Sequence, residues 1–134
     1  MITPSDNSSL YRSVEGCRQV MEHYDATLRA MAAPCEARYV ETRYGPTHVV
    51  IGGNGKGKCV VLWHGQNANA MSWAHWVPAL APTYRIYAVD VIGGMGKSAP
   101  SRPPKKGLAY GQWAAEVLEK LELRRANMIG ASQG

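Results

Sequence analysis

The chain has 134 residues, with 15 lysines and arginines against 10 aspartates and glutamates, and therefore carries a formal net charge of +5. Hydrophobic residues make up 46% and charged residues 19%, which is ordinary for a globular domain and excludes collagen-like, disordered and coiled-coil chains. No stretch approaches the roughly 20 consecutive apolar residues that a membrane-spanning helix needs, so we expect no membrane partner.

The N-terminal region, residues 1–36, is predicted to hold a polar tail and one amphipathic helix. Residues 1–12 are mostly polar and are expected to form a flexible tail. Apolar side chains then recur every three or four residues, as in a helix with one buried face, at Val14, Cys17, Met21, Tyr24, Leu28 and Met31. Ser13 is a suitable N-cap, and Pro34 ends the pattern. We expect this helix to lie on the domain; the alternative is a helix that binds a partner.

Residues 37–134 show the order of elements that is typical of an α/β domain. Two strands, Ala37–Thr42 and Thr47–Ile51, flank the turn residues Tyr44-Gly45-Pro46 and are predicted to pair as a hairpin. Strands and helices then alternate: strand Cys59–Trp63, helix Met71–Leu80, strand Arg85–Val91, a loop over Gly93–Gly107, helix Tyr110–Leu121 and strand Ala126–Gly130. This order predicts a mostly parallel sheet with an N-terminal antiparallel hairpin and helices on both faces.

Two glycine–lysine clusters invite comparison with a phosphate-binding P-loop. The segment Gly52–Cys59 has the spacing of the motif but carries Cys59 in place of the magnesium-binding serine or threonine, and it leads into a strand. The second cluster, Gly96-Lys97-Ser98, precedes three prolines that prevent the helix whose N-terminus would bind the anion. Nucleotide binding therefore stays a minor alternative.

The basic residues, cysteines and histidines do not form a recognised binding motif. The basic residues fall in separate predicted loops, so we expect no nucleic-acid partner, although phosphate binding by this charge stays open. The three cysteines form no C-x-x-C pair and the four histidines are scattered, so we expect no disulfide framework, metal or cofactor. Residues 1–13 lack the apolar core of a secretory signal, which favours a cytoplasmic location.

The strand ending at Gly130 runs directly into a G-x-S-x-G motif, residues 130–134. In a nucleophile elbow, a sharp strand-to-helix turn lifts the serine hydroxyl clear of the sheet, and glycines two positions either side leave room for that turn. This pattern predicts that Ser132 is a nucleophile flanked by Gly130 and Gly134.

A second motif, His64-Gly65-Gln66-Asn67, directly follows the buried strand that ends at Trp63. Attack on an acyl carbonyl places negative charge on its oxygen, which two aimed N–H groups stabilise. We expect these donors to be the backbone N–H groups of Gln66 and Gln133, with Gly65 in the same loop. His64 is interpreted as a residue that shapes this loop rather than as a base.

From about Ala37 to Gly134 the chain resembles the α/β-hydrolases, in particular bacterial carboxylesterases of that fold. The motifs that carry the resemblance occur in the family's order: His64-Gly65, Trp73, the strand Tyr84–Asp90, the loop Gly93–Ser98 and the elbow Met128–Gly134. The resemblance implies that Ser132 is the nucleophile of a serine hydrolase that acts on carboxylic esters through an acyl-enzyme. It also implies that Asp90 anchors its loop by hydrogen bonds rather than serving as the triad acid, since in this family the acid follows the nucleophile.

The family's chain order is serine, then acid, then histidine, but only Gln133 and Gly134 follow Ser132 here. We therefore expect residues 37–134 to be the N-terminal portion of a hydrolase domain, truncated at the elbow and inactive alone. The expected substrate is a small-molecule ester, and the oligomeric state is left open. The alternative is a non-catalytic α/β module for binding or assembly.

Overall fold

The computed structural model describes residues 2–134, which form one mixed sheet of five strands. The strands are β1 (Cys35–Thr42), β2 (Gly45–Gly53), β3 (Lys58–Trp63), β4 (Tyr84–Val89) and β5 (Asn127–Gly130), and they lie in the order β1-β2-β4-β3-β5. β2 is antiparallel to both of its neighbours, whereas β3 pairs in parallel with β4 and with β5. Four of the five strands thus run in one direction, and the predicted mostly parallel sheet with an N-terminal hairpin is confirmed.

Three helices cover the two faces of this sheet: α1 (Val14–Ala30), α2 (Val77–Leu80) and α3 (Ala109–Lys120). Successive residues of a strand point to opposite faces, so the buried strands supply two separate apolar layers. One layer packs against α3 and includes Val49, Val61, Val89, Trp113 and Val117. The other packs against α1 and α2 and includes Val50, Leu62, Ala88, Tyr24 and Val77. The predicted placement of helices on both faces is confirmed.

The N-terminal helix begins where the sequence predicts. The Ser13 hydroxyl caps α1 by accepting a hydrogen bond from the Gly16 N–H at 2.9 Å. The preceding residues differ from the flexible tail expected from their polarity, because they are bound to the domain. A short 3₁₀ turn spans Ser8–Leu10, and Asn7 is only 6% exposed. In this region the Asn7 side-chain N–H groups and the Tyr11 hydroxyl donate to carbonyl oxygens of the folded domain.

The prediction of a single helix over Met71–Leu80 is wrong. The structure has a 3₁₀ turn at Ala70–Trp73 and the separate short helix α2 at Val77–Leu80. Pro78 explains the break, because it lacks the N–H that would bond the carbonyl of Ala74 and its ring would clash with that carbonyl. The proline is instead accommodated in the first turn of α2, where no intrahelical donor is needed.

The remaining predicted strands and α3 are found with boundaries shifted by up to two residues. On the inner face of α3, Trp113 donates from Nε1 to the buried Thr47 hydroxyl at 2.9 Å, which fixes the helix against β2. Within residues 2–134, none of the helices combines the length and the apolar character that crossing a lipid bilayer requires.

Candidate active site

The parallel strands β3, β4 and β5 end at the same edge of the sheet. Because β3 lies between the other two, three connecting segments meet there: residues 64–70, the Gly65 loop; residues 90–98, the Asp90 loop; and residues 131–134. The crevice outside the carboxyl ends of parallel strands is the usual place for a binding site in α/β folds. Every site residue predicted from the sequence lies at this edge.

Ser132 sits in a sharp turn after β5. Its φ angle is +58°, in the left-handed region that residues other than glycine rarely adopt. The turn is closed by a hydrogen bond from the Gly134 N–H to the Ala131 carbonyl oxygen at 2.9 Å. The Ala131 N–H donates to the Trp63 carbonyl oxygen at 3.0 Å. Backbone strain of this kind persists only where the surrounding structure enforces it, and it is concentrated at functional sites. The side chain is exposed to solvent.

The two flanking glycines are required by close backbone contacts. A Cβ on Gly130 would lie 2.2 Å from the Gly134 carbonyl oxygen, and a Cβ on Gly134 would lie 2.1 Å from the Trp63 carbonyl oxygen. Real Cβ atoms essentially never come within 3.0 Å of such atoms. The turn at Ser132 can therefore form only with glycine at both positions, as the G-x-S-x-G pattern predicts.

The Gly65 loop lies directly against this turn. A Cβ on Gly65 would be 3.1 Å from the Ser132 Cβ, so glycine allows the two segments to approach closely. The side chain of Gln133 donates from Nε2 to Oε1 of Gln66 at 2.8 Å. The structure thus brings Gln66 to Ser132 and Gln133, from which it is separated by more than 60 residues in sequence.

His64 is buried beside this contact, with 4% of its surface exposed. Its Nε2 accepts a hydrogen bond from the Val91 N–H at 2.9 Å, so the ring proton resides on Nδ1, which donates to the Gly65 carbonyl oxygen at 2.8 Å. Both ring nitrogens are therefore occupied by backbone groups. The ring joins the Gly65 loop to the Asp90 loop and offers no nitrogen to a substrate.

Asp90 is completely buried behind the same edge. Its Oδ1 accepts from the Ala70 N–H at 2.7 Å, and its Oδ2 accepts from the Lys97 N–H at 3.0 Å. His48 Nδ1 lies 2.9 Å from Oδ2. Burial raises the pKa of Asp90, but the hydrogen bond and charge of His48, together with the two backbone donors, more than offset it and hold the pKa below its ordinary value. The carboxylate stays ionised and ties two loops to the sheet.

Sequence reasoning missed two members of this buried cluster, Tyr24 and His48. The Tyr24 hydroxyl donates to Asp90 Oδ2 at 2.8 Å, and it lies 3.1 Å from His48 Nδ1. A tyrosine within the apolar stripe of a helix was a usable signal, because a buried phenol needs a polar partner. Nothing local identifies that partner, which lies 66 residues further along the chain.

The other reactive side chains do not form a second site at this edge. Among residues 2–134, no three His, Cys, Asp or Glu side chains are grouped so that they could hold a metal ion. The cysteines Cys17, Cys35 and Cys59 are free thiols, each partly buried. Neither glycine–lysine cluster precedes a helix, since one leads into β3 and the other into an irregular loop. Both clusters therefore lack the helix N-terminus with which a P-loop binds phosphate.

Known relatives share both the sequence and the architecture described above. Carboxylesterase YbfK of Bacillus subtilis is 31% identical over 128 residues, covering 96% of this chain and 43% of its own length. Its crystal structure superposes with a TM-score of 0.81 at 32% identity, covering 89% of this chain and 42% of that one. The crystal structure of naproxen esterase from the same species gives a TM-score of 0.79 at 31% identity, covering 92% and 43%.

A third relative carries a different activity in its name. A 2-hydroxy-6-oxononadienedioate/2-hydroxy-6-oxononatrienedioate hydrolase from a Pseudomonas species is 37% identical over 94 residues, covering 67% of this chain and 32% of its own length. The chain thus spans about two fifths or less of the length of these relatives. A family model described as alpha/beta hydrolase fold matches residues 58–134, which hold β3, β4, β5 and the turn at Ser132. The chain therefore belongs to the α/β-hydrolase fold family.

Proposed function

We propose that this chain supplies the nucleophile and oxyanion-binding portion of a serine hydrolase that acts on carboxylic esters. One observation carries the proposal: Ser132 holds a left-handed backbone conformation, φ +58°, between two glycines at which no Cβ fits. A strained serine that projects from the end of a parallel strand is the arrangement a nucleophile needs. The naming of two similar proteins as a carboxylesterase and an esterase supports esters as the substrate class.

In the proposed reaction, Ser132 Oγ bonds to the ester carbonyl carbon as its proton passes to a base. The charge that develops on the carbonyl oxygen is stabilised by the backbone N–H groups of Gln66 and Gln133. Collapse of this intermediate breaks the bond to the alcohol, which leaves with a proton, and an acyl-enzyme remains. Water then attacks the acyl carbon, releases the acid and restores the serine.

The base in this proposal is a histidine that follows residue 134 in the whole protein, preceded by the triad acid, as in the family's chain order. The histidines near the site are already committed: His64 bonds two backbone groups, and His48 is 2% exposed and bonded to Asp90. Loss of the histidine from such a triad lowers turnover by about 10⁶. Residues 1–134 by themselves are therefore expected to show no useful ester hydrolysis.

The buried polar residues have supporting roles in this proposal. Gly130 and Gly134 allow the turn at Ser132, and Gly65 allows the oxyanion loop to approach it. His64 and Asp90 hold that loop through backbone groups, so they set the direction of the Gln66 N–H without contacting the ester. Donors fixed before the reaction stabilise the developing charge without reorganising.

The test uses the whole protein that contains this segment. A fluorophosphonate probe should label Ser132, and Ser132→Ala should abolish labelling and lower the turnover of a short-chain p-nitrophenyl ester by about 10⁶, to the background left by binding alone. Ser72→Ala, at an exposed serine of the nearby 3₁₀ turn, is the matched control and should retain full activity. Unchanged ester hydrolysis in Ser132→Ala would refute the proposal, and a folded protein without labelling would be a non-catalytic binding module.

A further inference from the structure

Residues 2–30 lie outside the segment that the family model matches. They nevertheless form hydrogen bonds with Asp90 and its loop at the candidate site. Asn7 donates from Nδ2 to the carbonyl oxygen of Gly96 at 3.0 Å and to that of Ser98 at 2.6 Å. The Tyr11 hydroxyl donates to the carbonyl oxygen of Met95 at 3.0 Å. All three acceptors belong to the Asp90 loop, so the N-terminal segment fixes that loop along much of its length.

Tyr24 of α1 makes the most buried of these contacts. Its side chain is 1% exposed, and its hydroxyl donates to Oδ2 of the fully buried Asp90 at 2.8 Å. A hydrogen bond to a buried charge is stronger than one between neutral groups, and its loss would leave Oδ2 held only by the Lys97 N–H and His48 Nδ1. The position of Asp90 therefore depends on the N-terminal helix.

Asp90 and its loop in turn hold the Gly65 loop. Asp90 Oδ1 accepts from the Ala70 N–H at 2.7 Å, and the Val91 N–H donates to His64 Nε2 at 2.9 Å. A third bond runs from Asn69 Nδ2 to the Met95 carbonyl oxygen at 3.3 Å. The bonds at residues 64, 69 and 70 fix both ends of the segment that contains Gln66.

Building on the proposed function, we infer that Tyr24 is a positioning residue for the oxyanion donor. Its hydroxyl sets the place of the Asp90 carboxylate, the carboxylate sets the place of the Ala70 N–H, and this end of the loop sets the direction of the Gln66 N–H. A misplacement of about 1 Å at a reacting centre lowers rates by on the order of 100-fold. Tyr24 acts through Asp90 and touches no substrate.

The neighbouring ion pair cannot replace this bond. Lys97 Nζ pairs with Asp25 Oδ1, but their side chains are 25% and 42% exposed, and ion pairs in contact with water contribute little. Lys97 also lies over the Tyr24 ring, with its Nζ 5.0 Å from the ring centre. The Tyr24 hydroxyl thus makes the buried contact between α1 and the site, whereas the Lys97–Asp25 ion pair is in contact with solvent.

The test compares Tyr24→Phe with Tyr39→Phe in the whole protein. Both variants remove the hydroxyl of a tyrosine whose ring packs on His48, with ring centres 5.8 Å apart for Tyr24 and 4.9 Å for Tyr39, but only Tyr24 donates to Asp90. Turnover is expressed per active site titrated with the fluorophosphonate, which removes the contribution of unfolded protein. In Tyr24→Phe we expect kcat to fall about tenfold, with KM within about twofold of the wild-type value. Tyr39→Phe should behave as the wild type.

A second measurement follows the loop itself. Amide hydrogen exchange at Ala70 should be faster in Tyr24→Phe than in the wild type, since its acceptor is less firmly held. If Tyr24→Phe does not fold, Asn7→Ala removes two bonds from the other end of the Asp90 loop and should give the same two effects. A role in stability alone would lower the melting temperature and leave both kcat per titrated site and exchange at Ala70 unchanged, which would overturn the inference.

Failure of the proposed function would give a different result. Ester hydrolysis would then be unchanged in Ser132→Ala, and the exchange rate at Ala70 would decide the inference about Tyr24. Faster exchange in Tyr24→Phe than in Tyr39→Phe would support it, and equal exchange in the two variants would overturn it.

Discussion

Gly130→Ala tests most directly whether the turn at Ser132 has the geometry described above. The added Cβ would lie 2.2 Å from the carbonyl oxygen and 2.4 Å from the carbonyl carbon of Gly134, both of them backbone atoms. Since real Cβ atoms stay beyond 3.0 Å from such atoms, residue 130 and the Gly134 carbonyl group must move apart by at least about 0.8 Å. A shift of about this size at a nucleophile lowers the rate by on the order of 100-fold. Overpacking also destabilises the fold by about 1–3 kcal/mol.

The assay is the rate of ester hydrolysis by the whole protein, corrected for the folded fraction measured by circular dichroism. Gly111→Ala is the matched control, because the same substitution on the exposed face of α3 meets nothing within 4 Å. It should leave the rate unchanged and stabilise the fold by about 0.5–1 kcal/mol, because alanine is the better helix former. The reasoning is refuted if Gly130→Ala hydrolyses the ester within about threefold of the wild-type rate, against the 100-fold loss expected.

Two further predictions concern buried polar groups. In the folded protein the pKa of Asp90 lies below its ordinary 3.8. As the pH falls, this carboxylate is therefore protonated in the unfolded chain before it is protonated in the folded protein. Stability should therefore decline between about pH 5 and pH 3, and Asp90→Asn should show a smaller decline in melting temperature over that range; equal slopes would contradict this. Trp113→Phe removes the 2.9 Å bond to the buried Thr47 hydroxyl and should lower the free energy of unfolding in urea by about 1–3 kcal/mol; an unchanged value would contradict the packing of α3.

Sequence reasoning predicted the sheet and the turn at Ser132 because both have local causes. The apolar runs of β3 and β4 reflect burial on both faces, and the glycine at 130 reflects a close contact with Gly134, within five residues of chain. Pro78 is equally visible in the sequence, and its missing N–H is the local cause of the break between the 3₁₀ turn at Ala70–Trp73 and α2.

The buried cluster around Asp90 could not be predicted in the same way. Its members come from α1, β2 and the end of β4, and only the folded sheet brings them within hydrogen-bond distance. Asn7 is a comparable case: its polarity suggests exposure, but its amide fits two carbonyl groups that lie 89 and 91 residues further along the chain. Burial of a polar side chain depends on partners that no local pattern specifies.

The bonds that Asn7 and Tyr11 make to the Asp90 loop have a consequence for how this protein can diverge. Each ends on a carbonyl oxygen of the main chain, at residues 95, 96 and 98. Any amino acid presents that oxygen, so Met95 can be exchanged without loss of the attachment. Gly96 cannot, because a Cβ there would lie 2.3 Å from the carboxyl carbon of Asp90. A substitution at residue 95 can therefore change the surface chemistry of the Asp90 loop, while the backbone of the loop keeps the same path.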